Sequence, residues 1–88
     1  MYNLAIADTP AKKKIGLSRL KKLPQGCGMI FVYQKPVDHG FTMKDTSIPL
    51  TIIFLDKNFE VIEVFSCRPF QAKSVKPSKP YSYVIEIW

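Results

Sequence analysis

Cysteine is scarce: the 88-residue chain has two, Cys27 and Cys67. That excludes a disulfide-dense secreted scaffold. A single bridge between them stays open, because spacing does not show whether their Cα atoms approach. There is one histidine, His39. No His-x-His, Cys-x-x-Cys or His-Glu-x-x-His occurs, so no metal-ligand spacing is present and no metal or cofactor is expected. Glycine is limited to four residues, and Gly26-x-Gly28 lacks the third glycine and the following helix of a dinucleotide fingerprint. Asp56-Lys57-Asn58 lacks the later glycine and glutamate of a calcium loop. Long apolar runs are missing too. The greasiest stretch, Ile48 to Leu55, contains Pro49 and Thr51 and is far too short to span a bilayer. Met1 is followed by Tyr-Asn-Leu-Ala-Ile-Ala-Asp, which has neither the basic start nor the apolar core of a leader. These absences predict a soluble, cytoplasmic protein with free thiols, an expectation that a longer natural chain would reopen.

Acid is also in short supply. Seven Asp and Glu face thirteen Lys and Arg, for a net charge of +6. The excess is clustered. Lys12, Lys13, Lys14, Arg19, Lys21 and Lys22 stand against Asp8 alone, and Arg68, Lys73, Lys76 and Lys79 have no acid among them. Two basic segments, 12–22 and 68–79, therefore flank a mildly acidic middle. The layout permits attraction to phosphate, anionic lipid or an acidic protein. The plainer alternative is that lysines decorate solvated faces. A lysine-over-arginine bias in so short a chain suits a phage or other AT-rich genome.

What is abundant is apolar residue, 47% against 23% charged, enough to fold as one small domain. The period is mostly two. Tyr2, Leu4 and Ile6 alternate with Asn3, Ala5 and Ala7. Met29 to Tyr33 is an apolar strand closed by Lys35-Pro36, and His39, Phe41 and Met43 alternate with Gly40, Thr42 and Lys44. Leu50 to Leu55 is the most hydrophobic run and the candidate sheet centre. Asp56-Lys57-Asn58 turns it into Phe59–Phe65, with Asn58 suited to a left-handed conformation. Phe59, Val61 and Phe65 are assigned to one side of that strand, and Glu60, Ile62 and Val64 to the other. Ser66 to Pro80, with three prolines, reads as a long exposed connection. Tyr81, Tyr83, Ile85 and Ile87 then alternate with Ser82, Val84, Glu86 and Trp88. One helix interrupts this series. Thr9 can cap it, Pro10 suits its first position, and it should run to about Leu20–Lys22, held by Ala11, Ile15 and Leu17. Six strands and one helix predict a mainly β fold, a small antiparallel sandwich or barrel.

The residues that carry a resemblance follow in order: Ala7-Asp8-Thr9-Pro10-Ala11, Gly16-Leu17, Leu23-Pro24-x-Gly26-x-Gly28-Met29-Ile30-Phe31, Phe41-x-Met43-Lys44-Asp45-Thr46-x-Ile48-Pro49-Leu50-x-Ile52-Ile53-Phe54-Leu55-Asp56 and Tyr83-Val84-Ile85-Glu86-Ile87. Over Leu4 to Ile87 the chain resembles the domain-of-unknown-function family 192, also called uncharacterised protein family 0127, and the block from Phe41 to Asp56 is the most specific part. The resemblance implies one compact β domain over residues 1–88 with a short helix after the first strand. It implies no reaction, substrate or cofactor. Many family members enter an export pathway with a leader that this sequence does not show. The chain departs from the family pattern at Lys12, where Glu is usual after the cap, and at Ser18-Arg19, in a shortened segment where Met and Arg are favoured. It departs again at Asp45, in place of Asn, and at Thr51, in place of an Asp after Pro-Leu.

Three functions compete. The first is a non-enzymatic binding module for a protein or small ligand, because polar residues at the mouth of an apolar sheet are where a pocket gains specificity. Its candidate residues are Arg19, His39, Phe41, Met43, Lys44, Asp45, Thr46 and Asp56. The plainer role for Asp45 and Thr46 is to bond the backbone of their own turn. The second is nucleic-acid binding through Lys12, Lys13, Lys14, Lys21, Lys22, Arg68, Lys73, Lys76 and Lys79, with Phe70, Tyr81 and Tyr83 available for stacking. The third is a small hydrolase or transferase using His39 with Asp45 or Asp56. No residue is assigned as catalytic. Cys67 beside Arg68 is expected to be an inert thiol. A monomer or a homodimer that covers a sheet edge would both suit such a domain.

Overall fold

A computed structural model describes residues 2–18, 22 and 24–88. The elements are β1 (Asn3–Ala7), α1 (Pro10–Ile15), β2 (Cys27–Val37), β3 (Leu50–Leu55), β4 (Val61–Cys67) and β5 (Tyr81–Ile87). They form one five-stranded sheet in the order β1-β2-β5-β3-β4, which is not closed into a barrel. The expectation of a mainly β domain with one short helix after the first strand holds. Three of the four strand pairings are antiparallel, and β1 runs parallel to β2. Parallel neighbours need a crossover of a dozen or more residues, and the segment containing α1 supplies it. The centre of the sheet is β5 rather than the more hydrophobic β3, which lies between β5 and the edge strand β4.

Thr9 caps α1 as its sequence suggests, its hydroxyl oxygen accepting from the Lys12 N–H at 3.2 Å. The helix is shorter than expected. It stops at Ile15 because Gly16, whose N–H makes the last i→i−4 bond to the Lys12 carbonyl oxygen at 2.9 Å, takes φ +51°, outside the helical region. Ala11 and Ile15 are exposed, so Leu17, just beyond the helix, is the anchor that reaches the core. The expected strand over 38–43 is also absent. Only Phe41 makes an isolated bridge, to Val75, with N–H···O contacts of 2.8 and 2.9 Å in the two directions. The two long connections, 38–49 and 68–80, thereby pair with each other, and the Phe70 N–H adds a bond to the Thr46 carbonyl at 2.9 Å. Met43, Ile48 and Pro77 are buried by this arrangement, so the 66–80 stretch is not uniformly exposed.

In the β3–β4 hairpin the left-handed residue is Phe59 (φ +61°), one position after the expected Asn58. Asp56 makes the difference. Its Oδ1 accepts from the Asn58 and Glu60 N–H groups at 2.8 and 3.0 Å, which leaves Phe59 at the turn's outer corner. A register shift follows, with Phe54 opposite Glu63 and Leu55 opposite Val61. That extra residue flips the alternation of β4, so Ile62 and Phe65 both pack on the core while Val61 and Val64 are exposed.

The inner face of the sheet is set by cross-strand rows. One runs Ala7–Phe31–Val84–Phe54–Glu63, the next Ala5–Met29–Glu86–Ile52–Phe65. Phe31, Val84, Phe54 and Ile52 are fully buried there. Glu86, in the middle of the second row, is 6% exposed. The opposite face carries the row Ile6–Ile30–Ile85–Ile53–Val64, with the two outer members exposed. Cys27 and Cys67 are free thiols.

A cleft floored by Glu86

The 38–49 connection does not cover the inner face completely. Between it and the end of α1 lies a cleft of about 400 Å³, within the size range of small-molecule sites. Its floor is the ring of Phe31 and the side chain of Glu86. Gly16 permits its near wall. A Cβ there would lie 3.2 Å from Phe31 Cζ, and the positive φ disfavours any other residue. The end of α1 can therefore approach the floor closely.

The far wall is aromatic. Phe41 stands edge-on to Phe31 (5.1 Å between ring centres) and to Phe54 (5.6 Å), and His39 stacks on Phe41 with 15° between planes. Tyr81, fully buried, ties this wall to the sheet. Its hydroxyl donates to the His39 carbonyl oxygen at 2.7 Å, and its ring packs 4.8 Å from Phe54. Tyr33 packs edge-on to both His39 and Tyr81, and the Lys13 ammonium sits 4.1 Å over its ring centre. That is a cation–π contact at the mouth of the cleft.

Electrostatics here are governed by Glu86. Among the described residues no group hydrogen-bonds or ion-pairs with its carboxyl. Burial alone pushes its pKa up to about 7. Its neighbours respond in turn. Burial and then the Glu86 charge push the Tyr33 hydroxyl up to about 12, and the same two causes raise the Cys67 thiol. The Tyr81 hydroxyl is also raised, first by burial. No buried side-chain nitrogen or oxygen lacks a partner among the described residues, so the unpartnered carboxyl oxygens of Glu86 open onto the cleft.

Of the residues expected from sequence, His39, Phe41, Asp45 and Thr46 line this cleft, together with Thr42. Met43 does not. It is 1% exposed and belongs to the core. Lys44 is exposed, and its N–H bonds the Thr42 hydroxyl oxygen at 3.1 Å. Asp56 is occupied in the β3–β4 turn, so it does not join His39 in one site. Arg19 lies outside the described residues, as does Lys21. Of the remaining basic residues, Lys13 and Lys14 line the cleft, Lys12 lies 3.7 Å from Asp8 and Lys76 lies 3.3 Å from Asp38. Lys22, Arg68, Lys73 and Lys79 are exposed. Tyr81 is too buried to stack on a base, and Tyr83 stacks on Phe59 at 4.1 Å. Phe70 is exposed. Among the described residues no group of three or more His, Cys, Asp or Glu could hold a metal, and no helix is long and apolar enough to cross a membrane.

The family model for DUF192, described as Uncharacterized ACR, matches residues 1–88. The chain belongs to domain-of-unknown-function family 192. Two solved structures share the fold of this family 192 chain. One is a protein from Sinorhizobium meliloti 1021 proposed as a transcription regulator, at TM-score 0.91 and 21% identity, covering 98% of this chain and 67% of its own. The other is a protein of unknown function from Novosphingobium aromaticivorans DSM 12444, at TM-score 0.90 and 30% identity, covering 98% of this chain and 62% of its own. The family 192 chain thus spans roughly two thirds of each neighbour. No curated protein matches it.

Sequence reasoning located one wall of the cleft and missed its floor. Glu86, Phe31, Tyr33 and Gly16 were not singled out. Glu86 did carry a signal: it is the one acid inside the closing Tyr83–Ile87 run of β-branched and aromatic residues.

Proposed function

We propose that this chain is a non-enzymatic binding module that holds a small polar ligand between α1 and the 39–46 segment, over Glu86. The observation that carries this reading is Glu86, a buried residue of the central strand whose carboxyl opens onto the cleft without a partner among the described residues. A group so placed destabilises the empty fold and gains a partner when a ligand arrives. The aromatic wall of Phe41, His39 and Tyr33 supplies the apolar contact area of a typical small-molecule site. Asp45 and Thr42 at the rim add polar selection.

The test is ligand capture from a metabolite extract, with the retained molecules read by mass spectrometry. The unmodified chain should enrich a discrete small molecule, and Glu86→Gln should lose it. Equal enrichment by both proteins, or enrichment of nothing, contradicts the reading.

A further inference from the structure

Resting on the reading of this cleft as a binding site, we propose that its ligand carries a protonated amine, which passes the rings of Tyr33 and Phe41 and hydrogen-bonds the Glu86 carboxylate. Two features of the lining favour a cation over a neutral polyol or an anion.

The first is the floor. Glu86 offers up to four acceptor sites and meets no donor among the described residues, so the group that completes it must bring N–H or O–H donors. A donor that also carries positive charge makes the shorter and stronger bond. The second is the wall. Ring faces attract cations, and the chain already places one there, the Lys13 ammonium 4.1 Å above Tyr33.

Among the described residues, the charged or titratable groups that line the cleft are Lys13 and Lys14 from α1, Tyr33 from β2, His39 and Asp45 from the 38–49 connection, and Glu86 from β5. An anion would have to sit beside both carboxylates.

The experiment uses three four-carbon probes that differ in their head group on the isotope-labelled full chain at about pH 8, followed by NMR: butylammonium, 1-butanol and butyrate. Butylammonium should shift the Gly16, Phe31, Tyr33 and Glu86 signals and bind at least about tenfold more tightly than 1-butanol, the scale of one charge-assisted hydrogen bond. Glu86→Gln should erase that preference. Gln has nearly the same shape and no charge, so the variant should fold, and the ranking on the unmodified chain stands without it. Binding of 1-butanol or butyrate in the cleft as tight as butylammonium overturns the amine while leaving a binding site. A preference that survives Glu86→Gln does the same. No shift at these residues with any probe also overturns the amine, and metabolite capture then decides separately whether the cleft binds anything.

Discussion

The Tyr81 hydroxyl lies 2.7 Å from the His39 carbonyl oxygen and 3.1 Å from His39 Nδ1, linking the last strand to a loop 42 residues earlier. A phenol has one proton, and the short contact to the carbonyl uses it. Nδ1 must then be the donor toward the phenol oxygen. The Gly40 carbonyl oxygen, 3.4 Å from Nδ1, asks for the same proton. The neutral His39 ring therefore carries its hydrogen on Nδ1 and leaves Nε2 as the acceptor. Nitrogen-15 NMR of the neutral ring should show the Nδ1–H tautomer, and Tyr81→Phe should release that preference. A dominant Nε2–H form in the unmodified chain contradicts the assignment.

Tyr81→Phe also tests how the aromatic wall is held. The ring keeps its contact with Phe54 and loses only the hydroxyl, so denaturant unfolding should show a loss of about 1 kcal/mol. Tyr81→Ala removes the ring as well and should cost about 3–5 kcal/mol. Equal losses would mean that the hydroxyl, rather than the packing, carries the residue's contribution.

Stability should fall as pH rises through the Glu86 window. Burial raises this carboxyl from the ordinary 4.5 to about 7 in the folded chain, so between those values the unfolded chain releases a proton that the folded chain retains. The contribution is fully present below 4.5, is lost as pH approaches 7 and changes little above it. At 1.36 kcal/mol per pH unit the loss is about 3 kcal/mol at most. Thermal unfolding of Glu86→Gln across the same range should lack this slope, and Gln should be the more stable residue near neutrality. Lys13, Lys14, Tyr33, His39 and Asp45 share the cleft and are unchanged between the two proteins, so the difference between the curves isolates residue 86.

Gly16 is the narrowest constraint on the cleft's shape. Gly16→Ala forces a side chain into positive φ and sets its Cβ 3.2 Å from Phe31 Cζ. The expected cost is about 1–3 kcal/mol. Circular dichroism melts give that cost, and Phe31 ring signals should move in the same variant. An unperturbed Phe31 would mean that the end of α1 does not rest on the floor.

Much of this architecture was legible in local sequence. The Thr9-Pro10 start of α1 and the Asp56 turn are set by short-range chemistry, and each appears where its residues suggest. Long-range choices were not legible. Alternation in β5 separates Ser82, Val84 and Glu86 from Tyr83, Ile85 and Ile87 without saying which set faces inward, and the set holding the acid is the buried one. The face with more aliphatic surface lies outside because the two long connections cover the other side. The parallel β1–β2 pair depends on the crossover through α1, and the shift in β4 depends on one extra residue beside Leu55. A period-two pattern contains neither. The loss of the 38–43 strand has a similar origin: Phe41 bonds Val75 rather than a neighbouring strand, and its side chain is spent on Phe31 and Phe54.

Carbon-13 NMR titration of the Glu86 side-chain carboxyl, followed in the ligand-free chain, decides whether this residue is the unpaired floor of a binding cleft. The midpoint should lie near 7 and move down when butylammonium is added. A midpoint near the ordinary 4.5, unchanged by the amine, would show a carboxyl that water or a protein partner already satisfies.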